Sequence, residues 1–378
     1  MVYLDNSATS WPKPNRVYRA MYDFMRTSAA NPGRSGHRMA VKSSETVYKC
    51  REIISDMFNV ANPGNVIFTV NTTYALNTAI KGVLKEGDHA VCTCMEHNSV
   101  LRPLESLKVR GIITYDTVKA DSTGYVSPSD IENAIRGNTR CVIVNHVSNV
   151  CGTIQSIAEI GRICKKHKVY FIVDGAQSGG ILPIDMVKNS ISMLALAGHK
   201  GLMGPMGTGI LCIADGLMPQ TFCEGGTGSY SKDLIQPQEL PDRFEAGTLN
   251  AVGICGLLEG LKYISVVGTD NIYAHEMGLA KRFITGLNNI KRVKIYGING
   301  FENRTGVVAV NIDGVDCINA AQQLNDKYSI AVRSGYHCAY PAHMAIGSGD
   351  GGAIRFSFGA FNTVDDVNRA LFAINHIT

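Results

Sequence analysis

The sequence predicts an α/β protein, with a mostly parallel central sheet and a smaller α+β companion. Three observations predict it. Through the middle of the chain, short and nearly continuous apolar runs alternate with stretches of helical periodicity. Such runs mark strands covered on both faces, the usual state of a parallel sheet. The residues directly after those runs are hydroxyls, amides, acids, two histidines and a lysine, and open parallel sheets bind ligands beyond the C-terminal ends of their strands. From about residue 263 the pattern shifts to amphipathic helices with fewer strands.

Taken in order, NVIFTV (65–70) is a β-rich run, and TTYALNTAIKGVL (72–84) follows with apolar residues at helical spacing. HAVCTC (89–94) and CVIVNHVS (141–148) are further strands. SIAEIGRICKKHK (156–168) reads as a helix with both ends marked: Ser156 and Glu159 as a capping box, and Lys165, Lys166 and Lys168 crowding the last turn. YFIVDG (170–175) and SMLALAG (192–198) complete the strand series. Helical patterns near 270–289, 316–327 and 364–377 then alternate with VVAVNI (307–312) and IRFSFG (354–359). This divides the chain into a large domain over 16–262 and a small one built from 1–15 and 263–378.

Composition narrows the function. Of 378 residues, 45% are apolar and 18% charged, the profile of a soluble globular protein able to bury a core. The formal charge of +4 is mild and no Lys/Arg block is longer than two, so nucleic acid is not an expected partner. No apolar stretch reaches the roughly 18 residues a membrane span needs, and the N-terminus lacks a signal-type pattern. A cytoplasmic location is expected. The eleven cysteines include a CxC (Cys92, Cys94) and no CxxC, which suits reduced, mostly buried thiols. No His, Cys and Asp set has zinc-like spacing, so no metal is expected.

The strand-end residues are Asn71-Thr72-Thr73, Glu96-His97, Asn149, Asp174 with Gln177, and His199-Lys200. Thr72 and Thr73 open a helix, where they serve either as a plain cap or as an anion site. Asp174 is a helix cap, a partner for a cationic ring nitrogen, or a metal ligand. Lys200 leaves a buried strand into ALAGHKGLMGPMGTGIL, whose glycines are expected to let the backbone bend and aim it at the crevice. The order HKG does not fit a Walker loop. A lysine, a carboxylate on a nearby strand and an anion-binding helix start suggest pyridoxal phosphate, which needs all three. Cys338 lies among Arg333, His337 and His343 in AVRSGYHCAYPAH, a polar loop in which a thiol is expected to be exposed and reactive.

With MEHNSVLRP, VSNVCGT, VDGAQS, GHKGLMGPMGTGIL, RFEAGTLN and RSGYHCA in this order, the chain resembles the cysteine desulfurases and selenocysteine lyases of the class V aminotransferase fold, almost end to end. The resemblance implies a fold type I, pyridoxal-phosphate-dependent enzyme that removes sulfur from L-cysteine, leaving L-alanine and a persulfide on Cys338. A selenocysteine lyase, or another lyase of cysteine derivatives, is the alternative on the same scaffold. By resemblance, Lys200 is the Schiff-base lysine and later moves protons at the substrate α-carbon. His97 stacks on the cofactor ring, Asp174 pairs with the ring nitrogen, and Gln177 bonds its phenolic oxygen. Thr73 and His199 contact the phosphate, joined across a homodimer interface by Thr248. Asn149 and Arg355 bind the substrate carboxylate, and His337 either assists proton transfer or shapes the loop.

Three departures stand out. Ala197 replaces a serine that contacts the phosphate in the family, so that contact is either missing or supplied elsewhere, with Thr72 as a candidate. The segment TGSYSKDLIQPQELPD is shorter than the hairpin-bearing equivalent of the sulfur-mobilising members, which bears on the choice of sulfur-acceptor protein. GSGDGG (347–352) is expected to be a mobile lid piece.

Overall fold

Between residues 66 and 213 the chain lays down seven strands: β2 (Val66–Thr69), β3 (His89–Thr93), β4 (Thr114–Val118), β5 (Thr139–Asn145), β6 (Tyr170–Asp174), β7 (Met193–Ala197) and β8 (Gly209–Ile213). The short strand β1 (Val2–Tyr3) precedes them. The computed structural model describes residues 1–33 and 35–378. In the sheet the strands run β2-β8-β7-β6-β5-β3-β4. β8 runs antiparallel to both of its neighbours, β2 and β7; the pairs among β3 to β7 are parallel.

The near-continuous apolar strands are explained by two-sided cover. Val91, Val142, Val144, Val173 and Leu194 face one core, packed with α2 (Arg38–Phe58), α6 (Ile157–His167) and α7 (Ala251–Val267). The alternate residues Ala90, Cys92, Ile143, Ile172 and Met193 face another, under α3 (Thr72–Val83) and α4 (Asn98–Val109). The edge strand β4 escapes sequence reading because TYDTV is largely solvated and has no apolar run.

Two local expectations are corrected. Asn71, not a threonine, caps α3, its side chain accepting from Tyr74 N at 2.9 Å. Ser156 makes no capping bond; its hydroxyl pairs instead with Tyr125 Oη at 3.1 Å. The last turn of α6 does carry Lys165, Lys166 and His167, favourably placed at the negative end of the helix dipole.

A second sheet, β12-β13-β10-β9, is antiparallel and comprises β9 (Val293–Tyr296), β10 (Val307–Ile312), β12 (Arg333–Gly335) and β13 (Ala353–Ser357). Around it lie α8 (Thr269–Leu287), α9 (Cys317–Tyr328) and α11 (Val364–His376). Their core gathers Phe283, Phe356 and Ile374 together with Val2 and Leu4. The N-terminal strand β1 pairs in parallel with β11 (Ile330–Ala331), and Asp5 bridges to Ser357. The chain's first residues therefore reach the site from the side of the second sheet. Among the described residues, no single helix is long and apolar enough to cross a membrane.

Candidate active site

At the C-terminal ends of β5, β6 and β7 a cavity of about 220 Å³ opens, lined by every predicted site residue except Cys338 and Thr248. The strand-end residue Glu96 also stays outside. It turns under the sheet, where Oε1 accepts from Thr93 Oγ1 at 2.6 Å and from Asn145 N at 3.0 Å.

Lys200 follows β7 after a tight descent in which Gly198 N donates to Thr208 O at 3.0 Å. The flanking glycines are needed for close approach and not, as expected, for bending. A Cβ on Gly198 would lie 2.2 Å from Thr208 Oγ1, and one on Gly201 would lie 2.4 Å from Gly179 O; neither has positive φ. Burial lowers the Lys200 amine to about 8, with Asp174 opposing that shift and the Arg355 and Arg333 charges adding to it. A lysine so shifted supplies neutral amine at moderately alkaline pH, the form that reacts as nucleophile or base. Asp174, on the neighbouring strand β6, is held above the usual carboxylate range by burial and accepts from Ala176 N at 2.9 Å.

His97 caps α4. Its Nδ1 accepts from Ser99 N at 3.1 Å, which assigns the proton of the neutral ring to Nε2. Burial, reinforced by Lys200 and nearby arginines, lowers His97 to about 4, so it is an uncharged ring. Ser99 Oγ lies 2.8 Å from His97 Nδ1 and 2.7 Å from Thr73 Oγ1, joining ring and helix start in one chain of bonds. Ser99 was not singled out in the sequence, although MEHNSV places it two residues after the histidine.

The residues fit pyridoxal phosphate. Thr72 Oγ1 and His199 Nδ1 are buried at the cavity without any hydrogen-bond partner. Unmet polar atoms of this kind call for a ligand, and the first turn of α3 beside them favours an anion. Thr72 is thus placed to stand in for the serine missing at Ala197, which lies buried at the end of β7. Gln177 Nε2 donates to Ser7 O at 3.0 Å, bringing the N-terminal segment into the wall.

On the opposite side, Arg355 on β13 is 1% exposed. It is not a free fork: Nη1 donates to Asn149 O at 3.0 Å, and Nη2 pairs with Asp5 Oδ1 at 2.7 Å. Its Nε has no partner, so a donor remains on that side for a carboxylate, whereas the unpartnered Asn149 Oδ1 can only accept. Asn149 Nδ2 donates to His337 O at 2.7 Å. Arg333 also lines the cavity.

Cys338 is exposed at the margin, as expected, and its carbonyl accepts from Asn98 N at 2.8 Å. The thiol-bearing residue is therefore tied to the residue after His97. Only Cys223 and Cys338 among the cysteines are exposed; burial pushes the thiols of Cys92, Cys141 and Cys212 up. His337 and Cys338 have φ of 50° and 56°, a left-handed pair costing on the order of 1 kcal/mol per residue. Both ring nitrogens of His337 are engaged within the protein, so neither is turned to a substrate in this arrangement.

The expected lid piece is a tied turn. Residues Gly349–Gly351 form a 3₁₀ turn, Tyr340 Oη donates to Asp350 Oδ1 at 2.7 Å, and Tyr336 Oη bonds the Asp350 carbonyl. Thr248 is exposed and lines a separate pocket. The segment 226–243 contains no helix or strand, hence no hairpin.

A family model described as aminotransferase class-V matches residues 2–370. The chain belongs to the class V aminotransferase family. Membership makes it an enzyme and implies pyridoxal phosphate as its cofactor. Relatives include a probable cysteine desulfurase of Methanothermobacter thermautotrophicus, 35% identical over 97% of this chain and 92% of that one. Another, from Pyrococcus abyssi, is 34% identical over 100% and 94%. Among solved structures, the apo cysteine desulfurase of Thermococcus onnurineus NA1 superposes with a TM-score of 0.93 at 35% identity, covering 99% of this chain and 94% of that one. The Escherichia coli cysteine desulfurase CsdA, in an S-sulfonic acid form, gives 0.90 at 25% identity, covering 99% and 94%.

Proposed function

We propose that this class V enzyme is a cysteine desulfurase that moves the sulfur of L-cysteine onto Cys338 and releases L-alanine. One observation carries the reading. Lys200 and Asp174 end neighbouring strands beside an uncharged His97, and the exposed Cys338 is tethered to the residue following His97.

Lys200 would hold pyridoxal phosphate covalently, and the group when bound would supply an electron sink for negative charge at the substrate α-carbon. Asp174 would favour a positive charge on its ring nitrogen, the uncharged His97 would pack against its ring, and Gln177 would bond its phenolic oxygen. Thr72, Thr73 and His199 would hold its phosphate. Arg355 and Asn149 orient the substrate carboxylate, Arg355 through donors left beside Asp5. Lys200, whose free amine burial shifts toward the neutral form, would take the α-proton and return it. The Cys338 thiolate attacks the substrate sulfur, an S–S bond forms as the carbon–sulfur bond breaks, and the electron pair left on carbon is protonated to give alanine.

We also propose a homodimer. Tyr18, Tyr22 and Met25 on α1 (Asn15–Thr27) are 48, 56 and 55% exposed and recur at helical spacing, a pattern suited to a partner helix. Thr248, outside its own chain's cavity, would then reach the partner's phosphate site. The division into 16–262 and 1–15 with 263–378 is supported by one apolar cluster that joins Val2 and Leu4 to residues 279–377, although another cluster crosses the boundary through Ile272, Ala309 and Ala353. Eleven free thiols suit a reducing cytoplasm and a sulfur-acceptor protein met there.

The test is the product profile of yellow, cofactor-loaded protein given cysteine, selenocysteine and cystine. Alanine from cysteine is expected from the native chain and not from Cys338→Ala. Full-rate alanine formation by Cys338→Ala would overturn the reading, and preference for selenocysteine or cystine would move it to the corresponding lyase.

A further inference from the structure

Behind Cys338, running back from the cavity wall at His337, lies a row of buried side chains that the proposed chemistry does not use. His343 belongs to α10 (Tyr340–Ala345) and is 0% exposed. Its Nε2 lies 3.1 Å from His337 Nδ1, and its Nδ1 lies 2.7 Å from Ser348 Oγ. At the other end of the row, His337 Nε2 lies 3.3 Å from Arg333 O.

The direction of the bond between the two rings follows from the Arg333 carbonyl, which can only accept. A carbonyl has no proton to give, so His337 Nε2 must donate to Arg333 O. In a neutral ring Nδ1 is then an acceptor, and it takes the proton of His343 Nε2. His343 Nδ1 is in turn an acceptor facing the Ser348 hydroxyl at 2.7 Å, a hydroxyl that the His343 carbonyl also faces at 3.2 Å. Ser348, His343, His337 and the Arg333 carbonyl thus form one connected chain, oriented from the His343 ring to Arg333. Both imidazoles must be neutral for this. Burial, with Arg355 nearby, holds His337 at about 2; burial likewise holds His343 at about 4, against the opposing effect of the Tyr336 backbone carbonyl, which favours the protonated ring. The groups facing the pair are Arg355 on β13, Arg333 on β12, and Tyr336 and Tyr340 with Asp350 beyond them.

The chain ends where the nucleophilic loop is most constrained. His337 and Cys338 share the left-handed backbone region, where side chains other than glycine persist only if the surroundings fix them. The bonds of the His337 ring, together with Asn149 Nδ2 on its carbonyl, are such a fixture. A general-base role for His337 would need a nitrogen open to the cavity, and both are spent.

We propose that His343, backed by Ser348, is a positioning residue: through His337 it fixes the loop conformation that presents the Cys338 thiol at the cavity margin. This rests on the reading of Cys338 as the sulfur-accepting nucleophile. Its removal is expected to slow the thiol-dependent step while leaving cofactor and substrate binding in place.

The test compares loaded His343→Phe, His343→Gln and Ser348→Ala enzymes with the native one. Three quantities are read: kcat and KM for cysteine, the cofactor's visible absorbance, and the alkylation rate of Cys338 by iodoacetamide, followed in its own peptide. In His343→Phe, kcat is expected to fall about tenfold, the effect of one buried acceptor left without its donor. KM and absorbance stay near native, and the Cys338 alkylation rate shifts. The amide N–H of His343→Gln can reach His337 Nδ1, so this variant recovers most of both kcat and alkylation rate. Equal loss in the Phe and Gln variants, or an unmoved alkylation rate, would overturn the proposal. If His343→Phe fails to fold, Ser348→Ala decides: a smaller shift in alkylation and kcat supports the proposal, and native values of both overturn it. Alkylation reads the loop without turnover, so an active Cys338→Ala enzyme would sink the desulfurase reading separately.

Discussion

Lys200 and Asp174 stand at the ends of adjacent central strands of a seven-stranded sheet, with paired strands on both sides. Cys338 stands on a loop beside the edge strand β12, in a left-handed backbone conformation, held by side-chain bonds from His337 and a backbone bond from Asn98. The first region places its groups by sheet geometry and tunes them by burial, which lowers the Lys200 amine and raises the Asp174 carboxyl. The second leaves its thiol in solvent and spends its polar groups on conformation. Substitutions at the sheet should therefore change what the chemistry can do, and substitutions in the loop should change how well the nucleophile is presented.

The largest expected break lies at the sheet. Lys200→Ala should lose at least about 10³-fold in alanine formation, the scale of removing a covalent base, and should lack the cofactor's covalent absorbance band. Next, Cys338→Ser should lose at least about 10²-fold in sulfur transfer, since an alcohol does not replace a thiolate nucleophile. Its cofactor spectrum should be native, which separates the two regions in a single titration.

Arg355→Gln tests the junction between them. A lost charge-assisted pair of bonds corresponds to about 2 kcal/mol, or roughly a 30-fold rise in KM for cysteine. An unchanged KM would remove Arg355 from substrate binding.

A pH series sharpens the sheet side. Covalent uptake of pyridoxal phosphate by the apo-enzyme should rise with pH, half-maximal near 8, where Lys200 becomes neutral. The same shift has a sign in stability. The folded amine releases its proton near 8 and the unfolded one near 10.5. Between those values the unfolded state holds more protons, so this group's contribution to apo-enzyme stability increases with pH. A flat uptake profile would show that another group limits it. The smallest effect is expected at the helix start: Thr72→Ala or Ser99→Ala should weaken cofactor retention about fivefold, one hydrogen bond's worth. Equilibrium dialysis measures it.

The sequence made the sheet side legible because strand-end residues inherit their position from periodicity: Asp174, His97 and Lys200 can each be found by counting from an apolar run. It hid what depends on distant pairing. Nothing near Ser7 announces a bond to Gln177, 170 residues away. Nothing near Asp5 announces Arg355, and β4 was silent because its residues are solvated. The glycines around Lys200 were visible, but their purpose, close contact with Thr208 and Gly179, appears only in three dimensions. GSGDGG looked mobile by composition, yet Tyr336 and Tyr340 pin it through bonds that composition cannot express.

The Asp5–Arg355 pair joins residues 350 positions apart. In folding terms this is a contact of very high order, and such contacts form late, since the entropy of closing the intervening loop precedes any gain from the contact. The strands that lead to Asp174 and Lys200 lie within residues 170–213, so their pairing is local, whereas the carboxylate anchor needs both Asp5 and β13 in place.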